Sequence, residues 1–306
     1  MTAVVEAEGA TKRYGEVLGL NGFSARFPAG ITGLIGPNGA GKSTLFRLLS
    51  GQLHLDSGTL SVLGHPASAE GEFRRRVGYC PEHSTMYDGM TGEEFVTTLL
   101  RVDGYPKVEA GRRALAAIGA VGLSDARGRR IRVYSKGMRQ RIKIAQGIAH
   151  DPELLLLDEP LNGVDPVGRA GLLALFRDLA SAGRHVIVSS HVLYEVERLT
   201  DQVVMISNGR AIAQGDLHRI RDLIDARPHT IEITTPEPRG LAKELSRWEH
   251  VVAIEFPSAG TLTVRSRDPD AFYAGFPELV VRLHLTVRGL RSVDDNLDAV
   301  FRYLAE

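Results

Sequence analysis

The chain has 306 residues, 43% of them hydrophobic and 24% charged, with Lys plus Arg and Asp plus Glu equal at 37 each. That length can bury the core of one large domain or two smaller ones, and the balanced charge provides no overall field for nucleic acid, so no nucleic-acid partner is expected. The single cysteine, Cys80, excludes an internal disulfide and a multi-cysteine metal site and reads as a small buried hydrophobe.

The longest purely aliphatic run, Leu154 to Leu157, falls far short of the roughly 20 residues that a membrane span needs. With no apolar signal segment at the start, the chain is expected to stay in the cytoplasm. In chain order, the first buried-strand pattern is "GITGLIG" (30–36), followed by the helical "KSTLFRLLSG". From about Ser84 to Ala149 the character turns helical, with Thr91 and Glu94 spaced as a capping box and an apolar period from Val108 to Val121. Strand-like "ELLLLDE" (153–159), "HVIVSSH" (185–191) and "DQVVMIS" (201–207) then alternate with helical "RAGLLALFRDLASAG" and "YEVERLT". Such alternation predicts an α/β domain with a mainly parallel sheet, interrupted by a helical insertion at about 84–149. After Arg227–Pro228 the pattern restarts with strand-like "TIEITT", "VVAIEF" and "TLTVRS", helical "LAKELSRW", a short helix near Ala271 and a final helix from about Val293. The expected division is residues 1–225 and a small α+β domain, 226–306, with helices on one side of its sheet.

The sharpest local signal is "GPNGAGKST", comprising Gly36, Pro37, Asn38, Gly39, Ala40, Gly41, Lys42, Ser43 and Thr44, directly between a strand and a helix. It fits G-x-x-x-x-G-K-[ST]: the glycines let backbone N–H groups close around a phosphate chain, Lys42 suits the β- and γ-phosphates, and the Ser43 hydroxyl suits Mg²⁺. Downstream, Asp158 and Glu159 end a buried strand, where ligands of open α/β sheets bind. One carboxylate suits Mg²⁺, and the next can orient or deprotonate an attacking water. His191 ends a third strand, where an imidazole could sense a γ-phosphate. The basic clusters Arg74 to Arg76 and Arg127 to Arg132 read as solvated surface.

Over about residues 3 to 225 the ordered motifs resemble the nucleotide-binding subunits of ATP-binding cassette (ABC) transporters, a P-loop NTPase fold. "GPNGAGKST" resembles the family's Walker A motif and "LLLLDEP" its Walker B. The resemblance implies magnesium at Asp158, a catalytic carboxylate at Glu159, a switch histidine at His191, a D-loop with Asp165 in "LNGVDP", and adenine stacking on Tyr14 in "TKRYG". "YSKGM" resembles the signature motif, in which Ser135 and the helix start around Gly137 cap the γ-phosphate held by the opposite subunit. Its Tyr134, Lys136 and Met138 depart from "LSGGQ" in the manner of the drug-export and ABC-2-type branch. Where the family usually has a metal-facing glutamine, "VGYCPEHS" has Glu82, which is expected to approach the metal.

The resemblance further implies ATP and Mg²⁺ as ligands, two copies head to tail around two ATP molecules, and separate transmembrane permease subunits at the inner face of the cell membrane. The helical insertion would contact those subunits; Met86, Tyr87, Met90 and Phe95 could line a groove or simply form core. The implied function is the ATPase subunit of an exporter. The alternative is a soluble ABC ATPase acting on a protein or nucleic-acid assembly, disfavoured by the absence of a second cassette and of a long heptad insertion. A regulatory nucleotide-binding module without turnover is disfavoured by Glu159. Residues 226–306 carry no phosphate loop or acidic pair and are expected to regulate or stabilise the dimer.

Overall fold

The computed structural model describes residues 3–67, 72–83, 85–220 and 228–293. Its contacts divide the chain into two compact units, Met1–Leu217 and His218–Glu306. The boundary expected at 225 and the final helix expected from about Val293 fall on stretches outside the described residues.

In the first unit, β1 (Ala3–Tyr14) and β2 (Val17–Pro28) form an antiparallel hairpin, and β3 (Ile31–Ile35) leads into α1 (Lys42–Leu49). β4 (Ser57–Val62) pairs with β1 and β5 (His65–Pro66) pairs with β4, giving a sheet in the order β2-β1-β4-β5. After α2 (Glu72–Arg75) and β6 (Val77–Cys80) come the insertion helices α3 (Gly92–Val102), α4 (Lys107–Ala120) and α5 (Lys136–Ile148). The unit continues with β7 (Leu154–Asp158), α6 (Pro166–Ser181), β8 (His185–Ser190), α7 (Leu193–Glu197), β9 (Gln202–Ser207) and β10 (Arg210–Asp216). The main sheet runs β10-β9-β3-β8-β7-β6; every pairing from β9 to β6 is parallel, and β10 is antiparallel to β9.

The unbroken apolar strands follow from burial on both faces. Successive side chains point to opposite sides, so Leu155, Leu157, Val186 and Val188 join the core built with the insertion helices. Leu154, Leu156, Ile187 and Leu34 join a second core with α1 and the antiparallel sheet. Cys80 is fully buried in the first core, and burial pushes its thiol up to about 12. The capping box of α3 forms: Glu94 N–H donates to Thr91 Oγ1 at 3.1 Å and Thr91 N–H to Glu94 Oε2 at 2.8 Å. The antiparallel sheet is the element that sequence reading misses. Register shifts interrupt β1 between Ala7 and Ala10, next to Gly9 at φ +59°, and such bulges erase the period-two alternation that would mark a half-buried strand.

The second unit contains β11 (His229–Thr234), α8 (Pro238–Leu245), β12 (Val251–Ser258), β13 (Thr261–Ser266), α9 (Pro269–Arg282) and β14 (Gly289–Ser292). The strands form an antiparallel sheet, β12-β13-β11-β14. Leu241 and Leu245 of α8 and Phe272, Phe276 and Leu279 of α9 share a core with Ile231, Ile233, Leu262 and Val264. The helix near Ala271 is longer than expected, because Asp268 caps it through the Ala271 N–H at 2.9 Å and it continues past Pro277.

Candidate active site

Parallel register sets Ile35 beside Ser190 and Asp158 beside Ser189. Gly36, Glu159 and His191 therefore leave β3, β7 and β8 at one edge of the sheet, the carboxyl edge where α/β folds bind ligands. A cavity of about 500 Å³ opens there, lined by Tyr14, Pro37 to Thr44, Glu82, Asp158 and Glu159 among others. Its floor is backbone by necessity. A Cβ on Gly36 would meet Ile206 O at 2.4 Å and one on Gly41, at φ +110°, would meet Gly19 O at 2.5 Å, whereas nothing lies within 4 Å of one on Gly39. α1 starts with no side-chain cap and no acid in its first turn, which leaves its N–H groups and positive dipole end for an anion. Tyr14 stands at the mouth, 42% exposed, with its ring over Gly19, where a Cβ would come 2.7 Å from Tyr14 Cε2.

Charge is concentrated beneath this loop. Lys42 is buried, and its Nζ donates to Gly36 O at 2.6 Å and lies 3.2 Å from Glu159 Oε1. The second approach is an ion pair, and among the described residues no further donor reaches Glu159 Oε1. Glu159 Oε2 lies 2.9 Å from His191 Nδ1, which carries the proton when Glu159 is ionised. Glu159 is only 5% exposed, and burial raises its carboxyl pKa above the ordinary 4.5, while Lys42 and His191 pull the other way. Its backbone sits at φ +49°, a left-handed conformation that costs a non-glycine residue about 1–3 kcal/mol. Glu159 thus combines a strained backbone with a buried carboxylate set between Lys42 and His191.

The sequence reading misses Ser189. Its Oγ donates to Asp158 Oδ1 at 2.7 Å and accepts from the Glu159 N–H at 2.9 Å, so one buried hydroxyl fixes both members of the acidic pair. The signal was present: two serines end an otherwise aliphatic buried strand, and a buried hydroxyl needs partners.

Glu82, on the loop after β6, lines the cavity. Its Oε1 accepts from Asn162 Nδ2 at 3.4 Å, and its Oε2 lies 3.6 Å from His83 Nδ1. Ser135, Gly137 and Asp165 do not line this chain's own cavity. Ser135 is the exposed N-cap of α5 and accepts from the Met138 N–H at 3.2 Å. Gly137 is buried, since a Cβ there would lie 3.3 Å from Gly163 O. Asp165 caps α6 through the Gly168 N–H at 2.9 Å, and that bond leads the lowering of its carboxyl pKa. The departures from the usual signature find local accommodation. Tyr134 donates to Ala126 O at 2.8 Å from a buried position, and the Lys136 stem lies across Gly163, where a Cβ would come within 2.5 Å of its Cδ. Of the possible groove residues, Phe95 is core, and Met86 and Met90 pack against that core; Tyr87 is 60% exposed, with its ring 6.5 Å from that of Phe95.

Among the described residues no group of three His, Cys, Asp or Glu side chains could hold a metal by itself. Ser43, Asp158 and Glu82 line the same cavity, a donor set that suits Mg²⁺, which keeps several waters and takes one or two carboxylates plus phosphate oxygens. Among the same residues no helix is long and apolar enough to cross a membrane.

The family profile described as ABC transporter matches residues 20–162. The chain is 35% identical over 303 residues to the daunorubicin/doxorubicin resistance ATP-binding protein DrrA of Streptomyces peucetius, covering 98% of this chain and 92% of that protein. It is 32% identical to the Nod factor export ATP-binding protein I of Burkholderia orbicola, over 89% of each. Among solved structures, an ATP-binding subunit of an ABC transporter superposes with a TM-score of 0.63 at 29% identity, over 72% of this chain and 93% of that one. A dimeric ATP-binding cassette in a post-hydrolysis state, bound to ADP and Pi, shares the fold with a TM-score of 0.64 at 20% identity, over 70% of this chain and 98% of that one. With a 35%-identical relative spanning nearly its whole length, its phosphate loop and acidic pair lining one cavity and His191 bonded to Glu159 there, the chain belongs to the ATP-binding subunits of the ABC transporter family.

Proposed function

We propose that the chain hydrolyses ATP to power an exporter, acting as a pair of copies joined to separate membrane subunits at the cytoplasmic face of the membrane. The observation that carries this reading is Glu159: buried, strained, with its pKa raised, its two carboxylate oxygens set against Lys42 and His191 at the rim of the phosphate-loop cavity. The relatives named for drug resistance and for Nod factor export support the direction of transport. Pairing is supported by Ser135, an exposed helix N-cap that does not line its own chain's cavity and suits a γ-phosphate held by a second copy.

In this reading the phosphate loop and α1 bind the phosphate chain, and Tyr14 stacks on adenine. Lys42 leaves Glu159 and neutralises phosphate oxygens. Mg²⁺ held by Ser43, Asp158 and Glu82 would neutralise further charge and bring phosphate oxygens and water together. The freed Glu159 carboxylate accepts the proton of the attacking water at Oε1, while His191 steadies Oε2. Ser189 holds the Asp158 carboxylate and the backbone of Glu159 in place throughout. Steady phosphate release from ATP and Mg²⁺, with recovery of the chain together with membrane-spanning partners from detergent extracts, is the expected result. ATP binding without phosphate release would reduce the chain to a binding module, and recovery only in soluble assemblies would overturn the transport role.

Glu82 should make nucleotide binding depend strongly on the metal, because an extra carboxylate beside Asp158 and Glu159 repels a bare γ-phosphate. Glu82→Gln is expected to improve ATP affinity in EDTA and to narrow its ratio to the affinity in Mg²⁺. Identical ratios in the two proteins would remove Glu82 from the site.

A further inference from the structure

One buried charge takes no part in this chemistry. Lys143 lies on α5, only 8% exposed, yet among the described residues no carboxylate approaches it as an ion pair. Its Nζ donates instead to Pro81 O at 3.1 Å and Glu82 O at 2.5 Å. Removing an ammonium from water is costly unless hydrogen bonds compensate, and burial duly lowers the pKa of Lys143. An apolar side chain at this position would carry no such cost. What the lysine adds is a hold on two carbonyls of the loop after β6, beyond the reach of the β ladder.

The place of this hold on α5 gives it meaning. The helix begins at the Ser135 cap; Gln140, one turn on, donates through Nε2 to Glu159 O at 3.5 Å, and Lys143 follows one turn later. Asn162 closes the group by donating to Glu82 Oε1 at 3.4 Å. A single rigid helix therefore touches the backbone of the candidate catalytic carboxylate and of the loop bearing Glu82, and ends at the serine that suits the second copy's nucleotide. We propose that Lys143 is a positioning residue that ties the Glu82 loop to α5, so that occupancy of one chain's nucleotide site sets the position of Ser135 at the other. The inference rests on the hydrolytic, paired reading above. It supplies that reading with a physical link between the two sites: loop and helix move together only while the ammonium bonds both carbonyls.

The test is the ATP dependence of phosphate release by the full chain. In wild type the Hill coefficient should approach about 2, the number of coupled sites. Lys143→Met, similar in length but without donors, should bring it to about 1 with ATP affinity changed less than about threefold, and Lys143→Arg, which keeps a charged donor, should stay near the wild-type value. Loss of a purely structural contact would alter melting temperature or total activity and leave the coefficient alone. Should Lys143→Met fail to melt cooperatively, Lys143→Gln, which retains a neutral donor, replaces it with the same expected fall. A wild type that releases no phosphate overturns both the hydrolytic reading and this inference. A wild-type coefficient of 1, equal coefficients in wild type and the Met or Gln variant, or a fall in the Arg variant as large as in the Met variant overturns the inference alone.

Discussion

Glu159→Gln should release phosphate about 10²–10⁴-fold more slowly than wild type, the usual loss when a general base is removed, while binding ATP at least as well. The amide keeps the size and the His191 contact but cannot take a proton from water. It also ends the competition for Lys42, whose ammonium lies 3.2 Å from Glu159 Oε1 and must serve the phosphate as well. ATP-bound pairs should consequently accumulate, visible as a shift to twice the mass in gel filtration with ATP and Mg²⁺. Turnover near wild type, with only single chains eluting, would show that the carboxylate is not the base.

The same substitution should change how stability depends on pH. Burial raises the folded-state pKa of Glu159 above the ordinary 4.5, so in the window between those two values the folded protein holds more protons than the unfolded one. The contribution of this group to stability is then greatest below about 4.5 and falls as pH rises through the folded pKa, because the unfolded chain ionises it freely and the folded one must keep a buried charge. Glu159→Gln removes that fall. Denaturant unfolding from pH 4.5 to 8, without nucleotide, should show the variant gaining on wild type as pH increases; parallel curves would mean that Lys42 and His191 cancel the burial cost. A site residue whose neutral form is the more stable one fits the rule that function is held against stability where the two conflict.

Much of this site was legible because its chemistry is local in sequence. The phosphate loop sits within nine consecutive positions between a strand and a helix, and Asp158 and Glu159 are adjacent at a strand end, so motif and placement coincide. What escaped reading depends on register between strands or on contacts across the chain. Ser189 acts only because β7 and β8 are parallel neighbours that set it beside Asp158, and Lys143 only because α5 packs under the loop after β6. Phe95 looked like a possible groove residue because its helical period shows that a face is apolar without saying what covers it. The antiparallel sheet was lost to bulges, and the length of α9 to a proline inside a helix that tertiary packing sustains.

Lys42→Met is the complementary experiment, and its effects should separate into two measurable parts. A charged hydrogen bond to phosphate is worth about 1.5–3 kcal/mol, so ATP affinity should fall roughly 10- to 150-fold, with ADP affected less if the lysine favours the γ-phosphate. In the nucleotide-free protein, Glu159 loses its buried cationic neighbour and keeps only His191. Removing one partner of a buried pair costs about 3–5 kcal/mol when the remaining charge cannot escape; here the carboxyl can protonate, so the penalty should be large at pH 8 and shrink toward pH 5. Adding Glu159→Gln to Lys42→Met should then restore stability at pH 8 but leave ATP affinity low, because the amide relieves the stranded charge and supplies nothing to the phosphate. Calorimetric ATP binding and unfolding curves on the two single variants and the double variant close a thermodynamic cycle for the pair. A double variant that recovers neither property would mean that Lys42 acts through its hydrogen bond to Gly36 O, shaping the phosphate loop; recovery of ATP affinity would mean that Lys42 serves only to offset Glu159 and that the phosphate is held by the backbone N–H groups of the loop and α1.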